Sequence, residues 1–124
     1  VVGLPDLELD ALLRRPVMAY IYQISFDIHP DQMGELEIGS SLERTLGYLR
    51  SLLPTEVGFI TVRAARSVQL EHEEIHVLIE SEWDYWDELE DHRRSNLAED
   101  KILQEFEPHI ELEDLEVHVF EEVA

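Results

Sequence analysis

Residues 75–92 read IHVLIESEWDYWDELEDH, and a change of period inside this stretch decides the fold. From Ile75 to Glu82 apolar and polar positions alternate. Ile75, Val77 and Ile79 face one way, with His76, Leu78 and Glu80 opposite, the period-two signature of a strand with two different faces. Ser81 and Asp84 have the S-x-x-D spacing of a capping box, which predicts a helix beginning near Trp83. Trp83, Trp86 and Leu89 then follow at i, i+3 and i+6. A second helical piece carries Leu97, Ile102, Leu103 and Phe106 up to Pro108.

Working outward, the same two periods recur. Upstream, Val57 to Val68 alternates Phe59, Thr61, Arg63 and Ala65 with Ile60, Val62, Ala64 and Arg66, and the acidic residues 71–74 fit the turn that joins this strand to the next. Further back, Val17 to Ile28 is the clearest strand, with Tyr20, Tyr22, Ile24, Phe26 and Ile28 on one side and Ala19, Ile21, Gln23, Ser25 and Asp27 on the other. His29 and Pro30 end it. Asp31 is placed to cap a helix that runs to about Leu53, with Ile38, Leu42, Leu46, Leu49 and Leu53 as one apolar stripe and Pro54 after it. Gly34, Gly39 and Gly47 weaken that helix and point to a bend or close backbone packing near its start. Residues 1–16 read as an N-terminal helical arm, Pro5 in a first turn and Pro16 closing the segment, with one domain over 17–124. Downstream, Leu115 to Phe120 is the last strand, with Leu115, Val117 and Val119 opposite Glu116, His118 and Phe120.

The order strand, helix, strand, strand, helix, strand is that of an α+β domain: a four-stranded antiparallel sheet with its helices on one face, in a ferredoxin-like arrangement. The uncovered face would show Ile21, Phe59, Leu78 and Phe120 to water in a lone chain. A second copy packed sheet to sheet removes them from solvent, giving a homodimeric α+β barrel with a chamber between the sheets.

Composition narrows the function. Twenty-nine acidic residues against nine basic ones leave a formal charge of −20, which repels phosphate backbones and anionic lipid, so neither nucleic acid nor a membrane is an expected partner. No apolar run reaches the length of about 20 residues that crosses a bilayer. The absence of cysteine removes disulfides, thiolate metal sites and thiol nucleophiles. No secretory leader is visible, and a cytoplasmic location is expected. Glycine-rich phosphate loops, G-x-S-x-G elbows and H-E-x-x-H helices do not occur.

The candidate site is the polar set assigned to the open face: Gln23, Ser25, Thr61, Arg63, His76, Glu80 and His118, walled by Phe59 and Leu78. Convergent polar groups between apolar walls are how small-molecule pockets are built. His76 or His118 would accept a proton near neutral pH, and Arg63 would stabilise developing negative charge. The alternative is a wet dimer interface in which these groups satisfy one another, Arg63 pairing with Glu80. His72, Glu74 and His76 alternate like the ligands of a facial metal site, but an acidic turn feeding a strand is the simpler explanation, and no metal site is assigned there or at His109, Glu111 and Glu113.

The strand Val77 to Glu82, Trp83, the acidic run Asp87 to Asp91, His92 nine positions after Trp83, and then Ser95 and Leu97 together resemble the antibiotic biosynthesis monooxygenase domain family. Pro30 after strand one and Gly58 before strand two are similar too, and the likeness spans about residues 17–123. The resemblance implies a dimeric α+β barrel. It also implies cofactor-independent oxidation of an aromatic, quinol-like substrate by dioxygen, or binding of such a molecule inside the barrel, with Trp83 and His92 among its contacts. The chain has Ser81 where the family often has glutamate, two residues before the tryptophan. Haem-degrading relatives carry an asparagine on strand one, and residues 17–28 contain none, so no cofactor is expected. Nine residues along one helix would set Trp83 and His92 about 180° apart in projection, so the two need not touch one ligand. The alternative function is a non-catalytic dimeric binding or interaction module with a structural interior.

Overall fold

The computed structural model describes residues 17–68 and 74–123. The N-terminal arm and His72 lie outside the described residues. Four strands, β1 (Val17–Ile28), β2 (Phe59–Arg66), β3 (Ile75–Trp83) and β4 (Glu116–Val123), alternate with α1 (Glu35–Leu52), α2 (Trp86–Ser95) and α3 (Leu97–Phe106). The strands pair antiparallel in the order β2-β3-β1-β4, with the helices on one face, the predicted ferredoxin-like α+β architecture.

One face of β1 supplies the centre of the core. Tyr22, Ile24, Phe26 and Ile28 stand opposite Ser81, Ile79, Val77 and Ile75 of β3, all buried. The α1 stripe covers them as its spacing predicts: Ile38, Leu42, Leu49 and Leu53 are buried, and Leu46 packs at the margin. Leu89 of α2 and Ala98, Ile102 and Phe106 of α3 complete the layer. The α1–α3 contact is fixed by polar groups as well. Ser41 donates to the Glu105 carbonyl at 3.0 Å, and Arg44 and Lys101 both reach the Glu105 carboxylate.

Local motifs lose to tertiary pairing at several points. α1 begins at Glu35 behind Gly34, without a side-chain cap, because residues after Asp31 are held in a turn: the His29 carbonyl accepts from Gln32 and Met33, and Met33 is buried. A Cβ placed on Gly34, Gly39 or Gly47 meets nothing within 4 Å, so these glycines permit no close packing. The Ser81–Asp84 capping box does not form. β3 continues through Trp83, whose indole Nε1–H donates to the Ser81 hydroxyl at 2.9 Å, and α2 starts three residues later at Trp86. Gly58 turns into β2 with φ of 79°, in the left-handed region, and the Tyr85 ring packs where a side chain would stand.

β4 is longer than the sequence pattern predicts, extending to Val123 because β1 offers partners back to Val17. Register in β2 also differs. A bulge between Phe59 and Thr61 places Phe59 opposite Trp83 on the helix side, while Thr61 pairs with Glu82 on the open side. Phe59 therefore belongs to the core margin and does not wall the open face.

Candidate functional site

The open face gathers the predicted polar set in rows. Arg63, Glu80, Gln23 and His118 lie across the four strands in one row, with Thr61, Glu82, Ile21 and Phe120 in the next and Ala65, Leu78, Ser25 and Glu116 on the other side. His76 sits one row further on, its Nδ1 paired with Asp27. In one chain these groups line a surface, and most are satisfied by neighbours. Arg63 Nε lies 3.2 Å from Glu80 and its Nη2 3.5 Å from Glu82. The hydrogen bond and charge of Glu80 raise the guanidinium pKa above its ordinary value. His118 approaches Glu116 at 3.8 Å and lies against the Phe120 ring. Ser25 is buried between its neighbours, and Phe120 remains 45% exposed.

Trp83 and His92, expected to diverge, meet on the opposite side of the sheet. Trp83 ends a strand and His92 lies in the second turn of α2, so the chain reverses between them. Their rings stack with centroids 5.1 Å apart and planes 30° from parallel. Tyr22 meets the imidazole edge-on at 5.5 Å. Leu89 and His92 are the buried residues of α2 and share one face.

Beside this pair is a cavity of about 140 Å³. Leu52, Leu53, Leu97, Trp83 and His92 line it together with three carboxylates, of which Glu56 and Asp91 are exposed and Glu88 is half-buried. His92 is 8% exposed; its backbone carbonyl accepts from the Ser95 hydroxyl, and neither ring nitrogen has a hydrogen-bond partner among the described residues. The ring nitrogens are thus left free beside the cavity. Burial lowers the His92 pKa to about 4, so the ring is neutral at pH 7, with one nitrogen able to donate and the other to accept. Sequence reasoning named Trp83 and His92 but missed Leu52, Leu53 and Glu56, which reach the site from the end of α1 and the turn after it. The available signal was Pro54, which ends α1 and turns the chain there.

Among the described residues no group of three or more His, Asp or Glu side chains is arranged to hold a metal ion, and His76 pairs with Asp27 instead. No helix among them is long and apolar enough to cross a membrane.

No family model matches the sequence, and no curated protein matches it. Solved structures do. A candidate antibiotic biosynthesis monooxygenase from Bacillus cereus superposes with a TM-score of 0.57 at 17% identity, over 82% of this chain and 88% of that one. This chain shares the ferredoxin-like fold of antibiotic biosynthesis monooxygenase-like proteins. Two further neighbours with this ferredoxin-like fold are described as dimeric and of unknown function. One, from Bacteroides fragilis, has a TM-score of 0.58 at 13% identity over 87% of this chain and 99% of that one. The other, from Thermobifida fusca, has 0.56 at 12% over 87% and 98%. At these identities the likeness concerns the ferredoxin-like fold, and the chemistry has to be argued from the residues.

Proposed function

We propose that the chain binds a compact aromatic molecule in the Trp83–His92 cavity, with His92 as the neutral group that accepts a proton or hydrogen bond from a phenolic or quinol-like hydroxyl. The observation that carries this reading is His92, more than nine-tenths buried, lining a cavity and without a partner at either ring nitrogen among the described residues. The volume of about 140 Å³ is close to that of an engineered apolar cavity of about 150 Å³ that holds benzene, so a single ring fits and a haem macrocycle does not. The candidate monooxygenase among the neighbours makes oxidation of such a ring by dioxygen the reaction to test, with His92 taking the hydroxyl proton.

Calorimetric titration with phenol and hydroquinone, alongside oxygen uptake, tests this. His92→Phe keeps the stacked ring and removes both nitrogens. It is expected to weaken binding by about tenfold, the loss of one hydrogen bond of about 1–1.5 kcal/mol, and to abolish any uptake. Absence of saturable binding by either compound to the wild type would remove the reading.

A second copy on the open face is the accompanying proposal, and the dimeric neighbours support it. Ile21, Leu78 and Phe120 are the apolar groups it would cover, while Arg63, His76 and His118 would act as polar interface groups already paired with Glu80, Asp27 and Glu116. This is the non-catalytic role for the open face. Phe120→Glu would place an unpaired carboxylate in that interface and is expected to weaken self-association by at least about 100-fold in sedimentation equilibrium. An unchanged association constant would show that the copies meet elsewhere.

A further inference from the structure

We infer that the ligand of the Trp83–His92 cavity is a single-ring phenol carrying a protonated amine, its ring against Trp83 and His92 and its ammonium among Glu56, Glu88 and Asp91 at the mouth. The inference rests on the reading of this cavity as a ligand site and adds the charge class.

Three observations support it. No lysine or arginine lines the cavity, whereas three carboxylates do, and none of the three has a salt-bridge partner among the described residues. The nearby Arg93 and Arg94 on α2 are both engaged by Glu90. α1 ends at Leu52 on the cavity wall, so the negative end of its dipole adds to the carboxylates, while the α2–α3 junction brings one helix end of each sign and cancels. Finally, the unpaired His92 ring supplies a second fixed point at the inner end. Being uncharged at neutral pH, it does not oppose a cation.

The arrangement separates recognition into two ends. A hydroxyl meets the imidazole, and a positive charge stays at the wet mouth, where it keeps part of its hydration while being attracted by the acids. An anion at the same place would face three like charges and the field of a chain of net charge −20.

Tyramine, 2-(4-hydroxyphenyl)ethanol and 4-hydroxyphenylacetate carry the same ring and differ at the tail as cation, neutral and anion. Titrated at pH 7.5 and low salt, tyramine is expected to bind at least tenfold more tightly than the carboxylate, with the alcohol between them. That ratio should fall at least threefold at 0.5 M salt and in the isosteric double variant Glu88→Gln/Asp91→Asn. Binding of the carboxylate as tight as that of tyramine overturns the charge class while leaving the cavity reading in place, since the alcohol would still bind. A ratio unmoved by the double variant and by salt also overturns it. Failure of all three compounds to bind overturns the cavity reading itself and this inference with it.

Discussion

Trp83→Ala is expected to lower folding stability by about 3–5 kcal/mol, a large share of the roughly 5–15 kcal/mol that holds a domain of this size together. The indole is 1% exposed and joins three elements at the end of β3. It meets Phe59 of β2 edge-on at 5.6 Å and stacks on His92 of α2. It also donates to Ser81, whose own hydroxyl is buried. Truncation removes the packing of all three and leaves a void that cannot close without moving the start of α2. Trp83→Phe separates the terms. The smaller ring retains most of the apolar contact but strands the Ser81 hydroxyl, so a loss of about 1–2 kcal/mol is expected. Urea unfolding followed at the half-exposed Trp86 measures both variants with an unchanged probe. A Trp83→Ala unfolding free energy within about 1 kcal/mol of the wild type would refute the assignment of this ring as the joint between sheet and α2.

The parts of the structure that follow from period alone were legible in the sequence. The alternation along residues 17–28 sorts β1 into a buried and an open face, and with antiparallel pairing it aligns Gln23 with Glu80 and Arg63, so the open-face polar set follows from strand order. The α1 stripe is readable for the same reason: i, i+4 spacing needs no knowledge of what it packs on. Errors arose where a single period was carried through a break. The alternation groups Phe59 with Thr61, but a bulge leaves no trace in it, and one extra residue moves a side chain to the other face. Trp83 and His92 were separated by counting helical turns from Trp83. The indole is instead held in β3 by its bond to Ser81, the residue that would otherwise have capped the helix. The cavity was invisible for a different reason. Leu52 and Leu53 face His92 across some forty residues of sequence, and no local pattern encodes a gap between two elements.

Two buried ionisable groups should leave opposite slopes in stability against pH, nearly cancelling in the wild type. Burial lowers the His92 pKa from 6.5 to about 4, so the unfolded chain takes up a proton first as pH falls. Its contribution is complete above pH 6.5 and is lost towards pH 4, about 3 kcal/mol in all. Glu99 on α3 has the reverse sense. Desolvation, helped by the neighbouring Asp100, raises its pKa from 4.5 to about 7, and its Oε1 is buried without a hydrogen-bond partner among the described residues. The folded chain therefore keeps a proton that the unfolded chain has already released. This contribution is complete below pH 4.5 and is lost as pH rises through 7. Between about pH 4.5 and 6.5 the two trends overlap, and removing either group exposes the other. Glu99→Gln is expected to gain on the wild type as pH rises from 5 to 8, by about 2.5 kcal/mol, since the amide cannot ionise. His92→Phe is expected to gain on the wild type in the other direction, as pH falls from 7 to 4.5. Urea midpoints of the three proteins at pH 4.5, 5.5, 6.5 and 8 give both differences directly. Differences that stay constant across the series would mean that both groups titrate alike in the folded and unfolded chains, and that burial perturbs neither His92 nor Glu99.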